Sequence, residues 1–480
     1  MLMAAALGVG VWLSVRSRAV PELSTLAVLP FTHTTAGEPS DLVVGLHEEV
    51  VAALGQIDPE RLRVLSRLST VAYAASGKSA TQIGQELGAD YLVEGVIREE
   101  SATWRITFTV VNVRDQVQVW SGRFDRDRSS LLSLQTELGR AVAQQIRLRL
   151  SPAQDQALVR RQARHPEAYE HYLRGRLLWA RTNRAALLAA IDEYKQATAL
   201  DPEYALAYAG MADAYAVLPI TSDAPSLELA RHAREAAMRA IQADGLLAEA
   251  HAALGWQEFW LGWNWPAAEA SLRRATLLDP NYANAHRWLG HVLSNSGRHS
   301  EALAEVARAR ELDPFSPAMH MVSAQIAYNS RDFAAAERHA RQSIAIDANF
   351  WAGYVNLGQA LAAQRRFDEA LAAVSEGYRL AANSKGLRRG YVLAVMGRRA
   401  EAQQWLGNFE ATTLLAAPYE VAVVYAGLGD SSGVFAALEQ AYAMRDANMV
   451  FLTVDPKMDP FRTDPRFQAL LDRCGFTRQR

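Results

Sequence analysis

Leu277 to Pro314 reads LLDPNYANAHRWLGHVLSNSGRHSEALAEVARARELDP. Two helix-length stretches lie between two copies of one stop signal, Leu278-Asp279-Pro280 and Leu312-Asp313-Pro314. Proline lacks the N–H and clashes with the preceding turn, so each copy ends a helix. The signal returns as Ile346-Asp347-Ala348, which sets a period of 34 through positions 279, 313 and 347, and Leu200-Asp201-Pro202 carries it upstream. A fixed period of this length signals stacked helix–turn–helix units, an architecture that usually binds rather than catalyses.

Aligning on the stop exposes the units. In the one ending at Pro314, Leu289-Gly290 lie in the first helix and Ala302, Val306 and Ala309 in the second. Gly290 and Ala302 sit where the two antiparallel helices cross, and a larger side chain there would force them apart. The next unit keeps Ala324, Ala336 and Ala340; the one after starts at Asn349-Phe350 and shows Leu357-Gly358, Ala370 and Val374. Upstream, Tyr208, Met211, Ala212 and Tyr215 pair with Ala233, Ala237 and Ala240 across an insertion of about nine residues around Pro219 to Ser226. Leu254-Gly255 with Ala268, Leu272 and Ala275 follow, around the turn Trp263-Asn264-Trp265-Pro266. Gly175, Ala190, Tyr194 and Ala197 mark a divergent first unit; Gly390, Ala402 and Leu406, then Tyr425, Val434 and Ala441, mark two weaker ones. The total is about eight. These residues resemble tetratricopeptide repeats, whose pattern of small and aromatic residues is specific when iterated in register. The resemblance implies a superhelix with the first helices on its concave side.

The segment in front has a different texture. Ser24 to Phe31 is a β-rich run closed by proline, and Asp41 to Leu54 carries apolar residues at helical spacing. Leu62 to Ser66 and Tyr91 to Ile97 read as strands, and Thr81 to Leu87 as a short helix ended by Gly88. Trp104 to Val113 and Gln116 to Ser121 pair as a hairpin around Arg114-Asp115, and Leu131 to Leu150 reads as an amphipathic helix. Early alternation and a late hairpin predict a small α/β domain over 23–150. Leu26-Ala-Val-Leu-Pro-Phe31, Gly45-Leu46 with Glu48-Glu49, Val64-Leu-Ser-Arg67, Ile83-Gly84 with Glu86-Leu87-Gly88, Asp90-Tyr-Leu-Val-Glu-Gly95 and Val119-Trp-Ser121 resemble the TolB-like amino-terminal domain of bacterial multidomain regulators. The tail Val454-Asp455-Pro456, Asp459-Pro460 and Asp464-Pro465-Arg466-Phe467 is similar to the end of the repeat arrays that follow such domains. In those proteins a winged-helix, kinase or cyclase module stands in front. The expected fold is therefore an α/β N-terminal domain plus an all-α repeat solenoid over 160–445, with a capping segment at 446–480, predominantly α overall.

Half of the 480 residues are hydrophobic, net charge is −2 and the pI is about 6.6, which excludes a broadly basic surface for nucleic acid. A single cysteine, Cys474, excludes a disulfide framework. Met1 to Val15 carry no charged side chain and are followed by Arg16 and Arg18. Fifteen residues fall short of the roughly 20 a bilayer span needs, so residues 1–18 are read as part of a membrane anchor. The expected location is the inner membrane of a bacterium, and the resemblance favours the periplasmic side.

Two motif fragments carry no chemistry. Gly77-Lys78-Ser79 lacks the glycine that a phosphate loop needs at position 72, and His47-Glu48-Glu49 lacks a second histidine at 51, which leaves it as a solvated helix face. No catalytic set, cofactor site or metal-ligand set is expected: His286, His291 and His299 do not share a helical face. Trp256, Trp260, Trp263 and Trp265 are read as packing of a helix against a turn. The expected function is non-enzymatic binding of a protein or peptide partner along the concave face, with Trp256, Phe259, Arg287, His291, Asn295, Gln325, Asn329 and Gln359 as groove candidates. Their mix of amide, cation and aromatic groups suits an extended peptide. The alternative is the sensory half of a bacterial signalling protein or transcriptional regulator whose output domain lies outside this chain. Nothing in the sequence sets the oligomeric state.

Overall fold

The computed structural model describes residues 23–33, 41–58, 61–71, 73–74, 76–100, 103–127, 131–146, 150–160, 163–181, 183–221, 226–381, 387–412 and 418–476. The chain opens with β1 (Ser24–Val28), β2 (Thr32–His33), α1 (Asp41–Gly55), β3 (Leu62–Leu65), α2 (Arg67–Val71) and α3 (Ala80–Leu87). Then come β4 (Tyr91–Glu100), β5 (Thr103–Asn112), β6 (Val117–Asp127), α4 (Leu131–Gln145) and α5 (Pro152–Arg160). The sheet runs β3-β1-β4-β5-β6, and β2 also pairs with β4. β1 lies parallel to β3 and β4, with Leu26 opposite Val64 and Tyr91; β4, β5 and β6 are antiparallel. Leu26, Ala27 and Val28 are all fully buried because β1 is covered on both faces, the reason a parallel strand reads as a continuous apolar run. β5 alternates instead: Trp104, Ile106, Phe108 and Val110 point into the core.

The sequence predicts one helix over 131–150, but α4 stops at Gln145 and α5 starts at Pro152. Proline disfavours helical backbone at the residue before it and suits the first helical position, so the helix has to restart there. Gly77-Lys78-Ser79 is an N-terminal cap: the Ser79 hydroxyl accepts from Gln82 N in a reciprocal capping box, and Lys78 pairs with Glu86 at 2.7 Å. The solvated face expected at His47-Glu48-Glu49 is a correction. His47 and Glu49 are buried; His47 Nε2 meets the Val28 carbonyl at 3.0 Å, and Glu49 accepts from the Tyr172 hydroxyl at 2.7 Å.

The remainder is helical. Antiparallel pairs follow in order: α6 (Pro166–Ala180) with α7 (Arg184–Leu200), α8 (Ala205–Thr221) with α9 (Ser226–Ala243), α10 (Ala248–Trp260) with α11 (Trp265–Leu278), and α12 (Ala283–Asn295) with α13 (His299–Leu312). The series continues with α14 (Pro317–Asn329) and α15 (Phe333–Ile346), α16 (Trp351–Ala363) and α17 (Phe367–Leu380), α18 (Leu387–Val395) and α19 (Arg399–Thr412), and α20 (Pro418–Leu428) and α21 (Ser431–Met444). Two short 3-10 turns, Ala447–Phe451 and Pro456–Phe461, lead to α22 (Pro465–Cys474). The molecule is predominantly α, a helical solenoid behind a small mixed sheet.

One core continues from the sheet into the solenoid, joining Leu26, Leu46 and Phe108 to Tyr172, Leu173, Tyr194 and Leu206. Helix α1 approaches α6 closely at Gly45, where a Cβ would come within 2.7 Å of Leu173 Cβ. Further along, the stop turns of the array touch the sheet's other end. The Asn281 amide donates to the carbonyls of Gly55 (3.0 Å) and Leu62 (2.8 Å), and Asp313 accepts from Ser69 Oγ at 3.0 Å and from Ser66.

The expected membrane-anchored location is corrected. Among the described residues no helix is long and apolar enough to cross a membrane, and residues 1–18, to which the sequence assigns the anchor, lie outside the described residues. The inner-membrane placement, periplasmic side included, is withdrawn.

Candidate functional site

The first helices α10, α12, α14 and α16 carry all eight groove candidates and set them along one continuous inner wall. Trp256 stacks on Trp288 with centroids 4.8 Å apart, and His291 sits among Trp256 (5.9 Å), Trp260 (6.0 Å) and Phe259 (6.3 Å). Burial, with Arg287 nearby, lowers the His291 pKa to about 3, so the imidazole is neutral at pH 7. The Asn295 amide donates to the His291 carbonyl at 2.8 Å, and the Asn329 amide reaches Ser294 Oγ at 3.2 Å. Gln325 donates to Asn329 Oδ1 at 2.9 Å. Arg287 lies over the Trp288 ring at 5.7 Å and has no ion-pair partner among the described residues.

The candidates meet, but they do not face open solvent. Trp256, Phe259, His291, Asn295, Asn329 and Gln359 are buried; only Arg287 and Gln325 are half-buried. The cover is the chain's own segment 446–461, which crosses the wall. Its Thr453 hydroxyl donates to the Asn295 carbonyl at 2.7 Å, and Arg331 donates to the Val454 carbonyl at 3.0 Å while pairing with Asp459 at 2.6 Å. Lys457 is buried: its ammonium donates to Gln359 Oε1 (2.9 Å), pairs with Asp455 (2.8 Å) and lies over the Tyr328 ring (4.9 Å). The Tyr419 hydroxyl donates to the other Asp455 oxygen at 3.0 Å. Beyond the strap, Phe476 stacks on Trp265 at 4.4 Å, and Arg445 covers Trp263 at 4.4 Å while donating to the carbonyls of Leu261 and Gly262. The tryptophan cluster thus packs against the C-terminal segment.

Sequence reading missed Arg331, Tyr328, Thr453, Asp455 and Lys457 as wall residues. The Asp-Pro steps were a visible signal: Asp455 caps its 3-10 turn by accepting from Lys457 N at 3.0 Å, and Asp464 caps α22. They predict turns without saying where the turns dock.

Residues 264–326 match the family model of the tetratricopeptide repeat, and residues 22–141 match that of the HilA/YgeH-like transcriptional regulator, second domain. Tetratricopeptide repeats are thus recognised within the helical array, at residues 264–326. A curated relative, "Putative adenylate cyclase 3" of Rhizobium meliloti (strain 1021), is 26% identical over 194 residues, which are 40% of this chain and 32% of that protein. The chain therefore spans about a third of the length of the curated relative it matches. Among solved structures, a thermophilic TPR protein of Thermus thermophilus is 16% identical, with 41% of this chain and 99% of that one covered, at a TM-score of 0.36. YrrB, a TPR protein with an unusual peptide-binding site, is 23% identical over 41% of this chain and 92% of its own, at 0.28. TolB from Acinetobacter baumannii is 14% identical over 26% and 28%, at 0.20.

Proposed function

We propose that this chain is a non-enzymatic interaction scaffold whose tetratricopeptide array recognises a protein partner along its inner wall as an extended peptide. One observation carries the reading: the wall holds a segment of its own chain, two 3-10 turns joined by a bend, which makes hydrogen bonds to α12, the turn after α14, α16 and α20. Those are the contacts a peptide needs. A partner engages the half-buried Arg287 and Gln325 and the edge of the strap. We read the α/β unit as TolB-like on the six motifs quoted above, and divide the chain into that domain at 23–150, the array at 160–445 and the capping segment at 446–480.

The test is capture of a partner with the full chain, followed by titration of the recovered protein. Replacing Arg287, Asn295 and Gln325 together with alanine weakens that partner at least about tenfold on this reading. Unchanged affinity would move recognition off the wall. A second reading is supported by the match of residues 22–141 to a transcriptional regulator's second domain. On it, the chain is the regulatory half of a bacterial signalling protein whose DNA-binding, kinase or cyclase domain lies outside these residues. An in-frame winged-helix, kinase or cyclase module upstream of Met1 in the genome decides for it.

A further inference from the structure

Between α6, α7, α8, α10 and the start of α12 the array leaves a cleft, on the side where α1 closes over α6. Tyr172, Arg176, Trp179, Tyr194, Asp213 and Glu249 line it, and it offers about 40 Å³ to the centres of water-sized molecules. That is room for a few waters or one small polar molecule. Tyr172, Tyr194 and Glu249 form its buried floor, whereas Arg176, Trp179, Asp213 and Tyr282 are half-buried at its mouth.

Four polar atoms in this lining are shielded from water and have no hydrogen-bond partner among the described residues: Arg176 Nε, Trp179 Nε1, the Tyr194 hydroxyl and Asp213 Oδ1. Buried polar groups are nearly always paired, so four orphans on one cleft point to something that completes them. Tyr194 is the most telling. It is fully buried, and its ring is seated by two glycines: a Cβ on Gly175 or on Gly210 would come within 2.6 Å of it. The backbone makes room twice to deliver a hydroxyl that meets no acceptor or donor among the described residues.

The orphans fix the chemistry of the occupant. Arg176 and Trp179 can only donate, and Tyr194 can donate as well, so one end of the ligand supplies acceptors. Asp213 asks for the opposite. Burial, reinforced by Glu249 and opposed by Arg176 and Arg287, raises the Asp213 pKa to about 8, so the carboxyl is mostly protonated at pH 7 and an incoming cation would favour its ionisation. The aromatic walls of Tyr172, Tyr194 and Tyr282 suit a compact cation beside that carboxyl. We infer that the cleft binds a small α-amino acid, its carboxylate received by Arg176, Trp179 and Tyr194 and its ammonium by Asp213 and Glu249. The limited volume restricts the side chain to glycine or alanine size.

The experiment is calorimetric titration of the full chain with glycine, acetate and methylamine separately. Glycine is expected to bind saturably below about 10 mM, with acetate and methylamine each at least about tenfold weaker, because each satisfies only one end. Tyr194→Phe and Asp213→Asn are expected to weaken glycine about tenfold while the thermal melt stays close to that of the parent. Absence of saturable glycine binding overturns the inference. So does acetate or methylamine binding as tightly as glycine, or an affinity for glycine that neither variant changes. None of these outcomes depends on whether the inner wall binds a peptide.

Discussion

The aspartate of the helix stop does two jobs. At 201, 279 and 347 its carboxylate folds back on its own turn, accepting from the backbone N–H two residues on, at 3.2, 2.9 and 2.8 Å, and Asp244, at the end of α9, does the same at 2.9 Å. Asp313 also takes the hydroxyls of Ser66 and Ser69, tying the same turn to the α/β unit. The recurrence was plain in the sequence, but the second use was not, because the serines lie more than 240 residues away. Glu49 was misread for the same reason: a partner 123 residues distant, Tyr172, makes a charged helix face an interior one, while His47 meets the Val28 carbonyl on the neighbouring strand. His291 turns such burial into a pH dependence. Its folded pKa of about 3 lies below the ordinary 6.5, so the unfolded chain takes up the proton first. Its contribution is complete above about pH 6.5 and declines by about 1.4 kcal/mol per unit as the pH falls from there towards 3. Thermal melts from pH 7 to 4 are expected to drop more steeply for the parent than for His291→Leu. Parallel curves would mean that His291 is charged in the folded state.

Among the elements, the crossing of each helix pair shows what the array rests on. A Cβ at Gly290 would meet Val306 Cγ1 at 2.6 Å, and one at Gly358 would meet Val374 Cγ1 at 2.4 Å. In the intervening unit the crossing position holds Ala324, and the valine's place is taken by Ala340; both are buried. The chain therefore contains both solutions to one volume problem, glycine with valine or alanine with alanine. Gly290→Ala is expected to cost about 1–3 kcal/mol through overpacking. Adding Val306→Ala should recover part of that loss, a favourable coupling measurable in a double-mutant cycle by urea unfolding. Strictly additive costs would show that Val306 is not what the new methyl strikes. Ion pairs contribute less. Arg298 joins Glu269 to Glu301, and Arg366 joins Glu337 to Glu369 in the same pattern two units on, but these pairs are largely exposed. Exposed pairs are worth about 0–1 kcal/mol, so apolar crossings decide the stacking. This level was the most legible, since period and stop are local. The five-residue α2 was invisible, being too short to show a helical period.

In the whole molecule, the strap changes how the array must behave. An open repeat solenoid is nearly one-dimensional: each unit touches its neighbours, and the ends fray independently. Here segment 445–476 reaches back to Asn295, Leu261 and Trp265, linking α20–α22 to α10–α12 across some 150 to 210 residues. No local pattern in a sequence announces such a contact; the Asp-Pro turns of this segment could be read, but its course through the wall could not. Lys457 is the fastening. Replacing it with alanine leaves the Asp455 carboxylate buried without its cation and Gln359 Oε1 without its donor, at an expected cost of about 3–5 kcal/mol. If the strap couples the ends of the array, Lys457→Ala should raise amide hydrogen exchange in α10, α12, α14 and α16 as well as in 446–461. The β-sheet, which the strap does not touch in any of these contacts, should keep its protection. Exchange confined to 446–461 would make the strap a passive tail lying on an array that is already rigid. Exchange spreading into the first helices would mean that the inner wall keeps its shape because its own chain fills it, so any partner has to bind a wall held in place by the strap.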